Sequence, residues 1–243
     1  MPLLALFDVD GTLFLTHDEL SGKAMVASLR EVYGVSLADD AVDRVEHLGL
    51  AAKRIAREVL SAAGLEDEAI DERLDRWCRR FSEAYLELLA GADTSGWKAR
   101  PGAVDALASL ERAGVRLALL TGNPEPVARA RMERLGLARF FPEREGAFGC
   151  EAEERRDLLG LARRRAGGWP AEWTIEIGDT PLDVTSAHEA GLRSIVIRSP
   201  RSERESFANA DAVVEDMDSL ARTLVAWAAL LPFRESGGPP GGG

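Results

Sequence analysis

The stretch LLALFDVDGTL, residues 3–13, decides how this chain folds and where its chemistry lies. Its apolar first half predicts a buried β-strand, and Gly11 ends that strand in a turn. The strand delivers Asp8 and Asp10 to the carboxyl edge of a sheet, where open α/β sheets bind ligands. The turn would also bring the Val9 carbonyl toward the two carboxylates, and such an oxygen cluster suits a hard cation such as Mg²⁺. An ionised aspartate beside that cation could act as a nucleophile, although Asp-Gly pairs also form ordinary turns.

The composition is that of an ordinary globular protein. The 243 residues are 46% hydrophobic and 29% charged, a balance typical of a packed domain. The length allows one large domain or a core with an inserted one. The formal net charge of −11 disfavours nucleic acid and anionic membranes as partners. An anionic substrate would therefore need a local patch of metal and basic side chains.

Several features predict a cytoplasmic location. No apolar run approaches the length of a membrane span, and the N-terminus lacks a signal-type segment. Cys78 and Cys150 are far apart and in no metal-like spacing, so neither a zinc site nor a disulfide framework is expected. We expect a monomer or a homodimer, with a disordered tail over residues 234–243.

A helical block follows the first strand. Apolar spacing predicts three helices, over residues 18–33, 39–63 and 66–90. The segment GADTSGWKARPG then has the composition of a linker. We therefore place an inserted α-helical domain at residues 17–97, between two parts of a core domain at residues 1–16 and 98–233.

From Gly102 onward, strands and helices alternate. Helices are predicted over residues 102–113, 124–136, 151–166, 180–191 and 217–231, and strands over residues 115–120, 145–149, 173–178, 193–197 and 211–215. Asn123 is expected to cap the helix that starts at Pro124. This alternation predicts an α/β fold, a doubly wound parallel sheet covered by helices on both faces.

Polar residues follow the other predicted strands. Thr121 ends the second strand, and Asp179 follows the strand WTIEIG, with Asp183 one helical turn further on. Because the carboxyl ends of parallel strands share one edge, these residues should meet the aspartates of the first strand. Carboxylates that crowd together stay ionised most easily around a cation, so this chemistry implies a metal. Thr121 alone could merely cap a turn, and Asp183 could be the acid of a capping box with Thr180.

The motifs FDVDGT, LLTGN and GDTPLD, with a basic residue in a helix before the last, resemble those of the haloacid dehalogenase-like hydrolase superfamily. They occur in that superfamily's order and cover roughly residues 4–200. The resemblance implies a Rossmann-like core, Mg²⁺ as cofactor and an aspartyl-phosphate intermediate. The helical insertion resembles the cap of phosphoglycolate phosphatase-like members.

The resemblance also implies a role for each matching residue. Asp8 would attack phosphorus, and Asp10 would protonate the leaving oxygen and then activate water. Thr121 and neighbouring backbone N–H groups would bind phosphoryl oxygens. The implied metal set is Asp8, Asp10 and Asp179 with the Val9 carbonyl, supported by Asp183 directly or through water. The further substrate-binding positions in these motifs are Gly11, Thr12, Gly122 and Asn123.

The basic residue departs from the usual pattern. Many members carry a lysine before the last motif, but the segment GAFGCEAEERRDLLGLA has none. Arg155 is the favoured substitute, because one subgroup resembles its F-G-x(5)-R-like spacing and because arginine binds phosphate with a planar fork. Arg156 is the second choice. Whichever arginine is not used should lie on a solvated helix face.

Specificity is expected to lie in the helical cap, since the core contacts mainly the phosphoryl group. His47, Lys53 and Arg54 could reach an anionic leaving group, or could lie on solvated helix faces. His17 could flank the cleft or mark the hinge. A cap that opens and closes would exclude water during transfer.

The sequence therefore predicts a Mg²⁺-dependent phosphatase that acts on a small phosphorylated metabolite. A phosphomutase with the same nucleophile is the first alternative, because the sequence does not say whether water or a bound sugar takes the phosphoryl group. A non-catalytic phosphate-binding protein on the same fold is the second, and it is disfavoured because no motif residue is missing. The proton donor Asp10 disfavours a dehalogenase or a phosphonate-cleaving enzyme.

Overall fold

The computed structural model describes residues 2–203 and 205–230. In this part of the chain six strands form one sheet: β1 (Leu4–Phe7), β2 (Arg116–Thr121), β3 (Ala147–Phe148), β4 (Thr174–Gly178), β5 (Arg193–Ile197) and β6 (Ala212–Val214). Their order is β3-β2-β1-β4-β5-β6, and every pairing is parallel. The strand order reverses between β1 and β4, which is where doubly wound sheets bind ligands.

The helices confirm the predicted α/β fold. They are α1 (Glu19–Tyr33), α2 (Ala52–Ala62), α3 (Asp67–Ala90), α4 (Ala103–Arg112), α5 (Glu125–Arg134), α6 (Arg155–Arg165), α7 (Pro181–Glu189) and α8 (Met217–Leu230). The first three follow β1 directly and form the insertion. The other five alternate with the remaining strands, except that β5 and β6 follow one another without an α-helix between them in the described part of the chain.

The insertion has a hydrophobic core of its own. Trp77, Phe81 and Tyr85 of α3 are completely or almost completely buried among residues of α1 and α2. The indole N–H of Trp77 donates to Ser28 Oγ of α1 at 2.9 Å. Separate sets of buried residues pack on the faces of the sheet. The domain boundaries at residues 16/17 and 97/98 stay a prediction.

The helix predicted over residues 39–63 is wrong in its first half. α2 begins only at Ala52, and residues 39–50 form turns and irregular backbone. Gly49 has φ +75°, a left-handed conformation that interrupts a helix and that glycine adopts without a steric cost. The segment 39–50 is therefore a loop, and it lies against the cleft described below.

The start of α5 also differs from the prediction. The helix begins at Glu125, and Pro124 precedes it with an extended backbone (φ −58°, ψ 148°). Asn123 does not cap the helix, because its Oδ1 accepts from Arg131 Nη1 at 2.9 Å instead of from a backbone N–H of α5. Its side-chain amide donates to Thr121 Oγ1 at 2.9 Å. Asn123 is thereby held at the end of β2.

The two cysteines form a disulfide, which corrects the expectation that the chain has no disulfide framework. Cys78 lies on α3 of the insertion, and Cys150 follows β3 in the core. They are 72 residues apart in the sequence, and this separation does not reveal that they are neighbours in space. The fold brings them together because α3 lies beside the end of β3. The bond joins the insertion covalently to the core.

None of the helices in the described residues is both long and apolar enough to cross a membrane. The predicted disordered tail, residues 234–243, lies outside the described residues, as do the last residues assigned to the core domain.

Candidate active site

The end of β1 meets the end of β4. The backbone N–H of Asp8 donates to the carbonyl of Ile177 in β4 at 2.9 Å, and the Asp8 side chain is almost completely buried. Gly11 has φ +83°, and a Cβ at this position would overlap the carboxylate of Asp179. A glycine is therefore required for the β1 loop to lie against Asp179. The predicted convergence of these segments is present in the fold.

Arg155, the first residue of α6, points into this cluster. Its side chain is buried, and Nη2 lies 3.6 Å from Asp8 Oδ1 and 2.5 Å from Asp183 Oδ1. The second of these contacts is an ion pair whose angles fall outside those of a hydrogen bond. Arg156 is exposed. The helix phase thus directs the favoured arginine, and not its neighbour, toward the predicted nucleophile.

Asp183 is the acid of the capping box considered for it, while its role in a metal site stays a prediction. Its Oδ2 accepts hydrogen bonds from the N–H and the hydroxyl of Thr180, each at 2.8 Å, which completes a capping box at the start of α7. Its Oδ1 faces Arg155. The helix cap therefore fixes the carboxylate while one oxygen stays directed at the cluster.

Burial raises the pKa values of two carboxylates in this cluster, Asp8 and Asp179. Burial raises the pKa of Asp8 well above its ordinary value, with contributions from Asp183 and Asp179, while Arg155 opposes the shift. Burial also raises the pKa of Asp179 to about 6. Asp179 Oδ2 accepts from the hydroxyl of Ser199, but its Oδ1 has no hydrogen-bond partner among the described residues. A divalent cation would satisfy both the charge and this oxygen.

The fit of Mg²⁺ rests on that oxygen and on the chemistry of the donor set. Among the described residues, no three Asp, Glu, His or Cys side chains converge on one point as a complete metal cage. Mg²⁺ does not need such a cage, since it commonly takes one or two carboxylates and completes its octahedron with water and substrate phosphate. Asp8 and Asp179 provide that minimum.

The Val9 carbonyl is not part of the metal site, which corrects the sequence prediction. It accepts the backbone N–H groups of Leu13 and Phe14 at 2.9 and 2.8 Å, because the chain turns immediately after β1. Within residues 2–203 and 205–230 we find no hydrogen bond to the carbonyl of Asp10. This neighbouring carbonyl is therefore the better backbone candidate.

The carboxylate of Asp10 contacts Arg131 and Asn123 and not the carboxylates of Asp8 and Asp179, a second correction to the predicted metal set. Its oxygens accept from Arg131 Nη1 at 3.1 Å and from the side-chain amide of Asn123 at 2.5 Å. Burial alone would raise the pKa of Asp10, but Arg131, Arg201 and Asn123 outweigh it and hold this pKa below its ordinary value.

Arg131 is a site residue that the sequence did not reveal. It lies on α5 with 1% of its surface exposed. Its guanidinium also contacts Asp18, the N-cap of α1, at 2.7 Å and the hydroxyl of Tyr85 on α3 at 3.1 Å. Arg131 therefore links the loop after β1 to two helices of the insertion. No motif marks it, because it is one of several arginines on a highly charged helix.

The predicted phosphate-binding residues divide into two groups. Thr121 and Gly122 line the cleft together with Asn123 and Gly11. Thr12 does not line it: its hydroxyl is buried, without a hydrogen-bond partner among the described residues.

A cleft of about 470 Å³ lies between the insertion and the carboxyl edge of the sheet. His17 and His47 of the insertion line it, as does Arg201 from the segment after β5, which the sequence analysis missed. Lys53 does not reach the cleft, contrary to the prediction, because its ammonium lies 2.6 Å from Asp75 of α3. Arg54 similarly pairs with surface glutamates.

Comparison with known families agrees with this site. The family model described as haloacid dehalogenase-like hydrolase matches residues 3–191. The chain therefore belongs to the haloacid dehalogenase-like hydrolase family, which confirms the resemblance seen in its motifs. It is an enzyme of the phosphatase class within that family.

Individual relatives are similar along almost their whole length. The chain is 34% identical to a phosphoglycolate phosphatase of Rhodospirillum rubrum over 230 residues, covering 92% of this chain and 91% of the relative. It is 28% identical to a phosphoglycolate phosphatase of Agrobacterium fabrum, covering 91% of each. Among solved structures, a mutant CbbY from Rhodobacter sphaeroides in complex with xylulose-(1,5)bisphosphate is 25% identical with a TM-score of 0.66, covering 90% of this chain and 96% of that one.

Proposed function

We propose that this chain is a Mg²⁺-dependent phosphatase that hydrolyses a small phosphorylated metabolite through an aspartyl-phosphate on Asp8. The observation that carries the proposal is the position of the Asp8 carboxylate. It is buried at the strand-order reversal, 3.6 Å from the guanidinium of Arg155, with Thr121 at the end of the neighbouring strand. Such an arrangement suits in-line attack on a phosphoryl group whose charge is neutralised from the side.

The relatives indicate which substrates to test first. Two of them bear the name phosphoglycolate phosphatase and align with more than nine-tenths of this chain, so 2-phosphoglycolate is the leading candidate. A mutant CbbY binds xylulose-(1,5)bisphosphate, which makes a sugar bisphosphate the second. Both ligands carry a further anionic group or hydroxyls beyond the reacting phosphate. His17, His47 and Arg201 line the cleft and are the residues available to contact that part.

Three side chains would act directly on the phosphoryl group in the first chemical step. Asp8 would attack phosphorus, Arg155 would hold phosphoryl oxygens with its Nη2, and Thr121 would donate its hydroxyl to another. Mg²⁺, held by Asp8, Asp179 and the Asp10 carbonyl, would supply positive charge that keeps Asp8 ionised and neutralises the phosphoryl group. Asp183 supports this set indirectly, since it holds Arg155 in place.

Asp10 would serve as acid and then as base. Its contact with Arg131 favours the ionised form, which is the form that accepts a proton from water when the intermediate is hydrolysed. Protonating the leaving oxygen in the first step needs the opposite form. The contact with Arg131 must therefore weaken when substrate binds, and the cleft leaves this carboxylate about one-third exposed for that change.

The test combines turnover with detection of the intermediate. The purified protein should hydrolyse 2-phosphoglycolate with Mg²⁺ and lose that activity with a chelator. Asp8→Asn should abolish turnover, because a neutral amide is not a nucleophile. Asp211→Asn, which alters a carboxylate paired with His188 far from the cleft, is the matched control and should retain it. Mass spectrometry of acid-quenched protein should find a phosphoryl adduct on Asp8.

Three results would reject the proposal or change it. Wild-type turnover by Asp8→Asn would remove the nucleophile from the mechanism. Conversion of a sugar monophosphate to its isomer without release of phosphate would assign a phosphomutase. Binding of phosphate esters with no turnover of any, in the presence of Mg²⁺, would assign a binding protein.

A further inference from the structure

A glutamate lies buried in the middle of the sheet, close to the site. Glu176 is on β4, paired in register with Leu6 of β1 and Ser194 of β5, and it has 0% exposure. Central strands of a parallel sheet normally carry apolar side chains, and a buried carboxylate is costly unless it is fully hydrogen-bonded. An ionisable residue at this position therefore calls for an explanation.

Both carboxylate oxygens of Glu176 have partners. Oε1 accepts from Arg155 Nε at 2.7 Å, and Oε2 accepts from the hydroxyl of Ser186 on α7 at 3.2 Å. The Ser186 hydroxyl also lies 2.7 Å from the carbonyl of Leu182, so the hydrogen bond from Arg155 is the stronger of the two contacts. It holds the Glu176 carboxylate against Nε of Arg155.

Arg155 uses different nitrogens for its different contacts. Nε faces Glu176, Nη2 faces Asp8 and Asp183, and Nη1 donates to the carbonyl of Gly49 at 3.3 Å. Because the guanidinium is planar and rigid, fixing Nε sets the direction of both Nη groups. A lysine ammonium is a single point and could not make these contacts together.

We propose that Glu176 is a positioning residue that orients the guanidinium of Arg155 so that Nη2 faces the phosphoryl group. The proposal rests on the proposed phosphatase function. It also gives a reason for the arginine in place of the usual lysine: the longer, forked side chain needs a fixed partner on Nε, and β4 provides it. Glu176 itself does not touch substrate.

Charge balance alone is the competing explanation, and two variants separate it from positioning. Glu176→Gln removes the charge but keeps an oxygen that can accept from Arg155 Nε, while its amide can donate to Ser186. Glu176→Met removes the acceptor at similar volume. If Glu176 positions Arg155, the Gln variant should stay within about threefold of wild-type kcat/KM. The Met variant should lose about 10- to 100-fold, the range of one charge-assisted hydrogen bond.

A second readout follows the phosphoryl group without catalysis. Titration calorimetry with inorganic phosphate and Mg²⁺ should show about tenfold weaker binding for Glu176→Met than for wild type, with Glu176→Gln between them and nearer to wild type. The phosphate titration distinguishes a failure of the proposed function from a failure of the proposed role of Glu176. If wild type turns over no phosphate ester, the proposed function fails, but the order of phosphate affinities still tests the role of Glu176.

Controls guard against a purely structural effect. Glu145→Met breaks a bidentate ion pair with Arg116 at the opposite end of β2 and should leave kcat/KM unchanged. In an Arg155→Lys background, replacing Glu176 by Met should cost little more, since the contact is already lost. If Glu176→Met folds poorly, Glu176→Gln alone tests the proposal, because a loss in kcat/KM well beyond threefold in that variant would overturn positioning. Equal losses in Glu176→Gln and Glu176→Met would overturn positioning in favour of charge balance, and wild-type activity in Glu176→Met would overturn both.

Discussion

Reduction of the disulfide between Cys78 and Cys150 should cost this protein a large part of its stability. The bond closes a loop of 72 residues that contains the end of α3, α4, β2, α5 and β3. Breaking it lets the unfolded chain sample many more conformations. The chain-entropy relation gives about 4 kcal/mol for a loop of this length, against a total of about 5–15 kcal/mol for a typical domain.

Guanidinium unfolding followed by circular dichroism measures this effect. The oxidised protein and the Cys78→Ala/Cys150→Ala variant should differ by about 4 kcal/mol in the free energy of unfolding. Adding a reductant should destabilise wild type by a similar amount and leave the double variant unchanged, which makes that variant its own control. A wild type insensitive to reductant, with two titratable thiols in the native protein, would refute the pairing of the cysteines.

Reduction of the same disulfide should also increase the local flexibility of the cap. Cys78 lies on α3 and Cys150 follows Gly149, whose carbonyl accepts the backbone N–H of Lys53 at 3.1 Å. The bond therefore ties the insertion to the core beside the cleft. Hydrogen–deuterium exchange over α2 should become faster on reduction than exchange over β4, because only the insertion gains freedom. Equal acceleration in both elements would instead indicate global loosening.

Other predictions concern the metal, the cap contact and the buried arginine. Burial raises the pKa of Asp179 to about 6, so the folded state holds this proton where the unfolded chain releases it. The Mg²⁺-free protein should then lose stability as pH rises from about 4 to about 6, and the gain in melting temperature from added Mg²⁺ should be larger at about pH 7 than at about pH 5; an equal gain would contradict this. A Cβ at Gly122 would overlap the Leu50 carbonyl of the cap loop. Gly122→Ala should therefore lower kcat/KM by about tenfold or more with little change in melting temperature, whereas Gly91→Ala, which meets no neighbour, should change neither. Arg131→Met should lower the free energy of unfolding by about 3–5 kcal/mol in denaturant titrations, because it leaves the buried carboxylate of Asp18 without its charge partner.

The sequence alone was sufficient to predict the site residues that directly follow an apolar strand. Asp8 and Asp179 each follow a short apolar run, and parallel strands necessarily bring such positions to one edge. The spacing from Phe148 to Arg155 also favoured the arginine that the helix phase turns inward. These inferences needed only local pattern and the direction of the strands.

Contacts between distant segments could not be obtained in this way. Arg131 is buried because Asp18 and Tyr85 approach it from the insertion, and neither position carries a motif. The pairing of the cysteines has the same origin. The prediction for the Val9 carbonyl was wrong for a different reason. This carbonyl accepts two hydrogen bonds within the turn after β1, and the backbone angles of that turn do not follow from the letters DVDG.

The start of α2 is a further feature that depends on contacts between distant segments. Ala51 precedes the helix without a capping side chain, although the first N–H groups of a helix need acceptors. In this fold the N–H groups of Ala52 and Lys53 find the carbonyls of Gly122 and Gly149, at 2.8 and 3.1 Å. The helix end is thus completed by the core and not by its own sequence, which is why apolar spacing alone placed its beginning more than ten residues too early. The backbone next to the predicted phosphate-binding residues therefore accepts the first N–H groups of α2, and these two hydrogen bonds hold the start of the helix against the core.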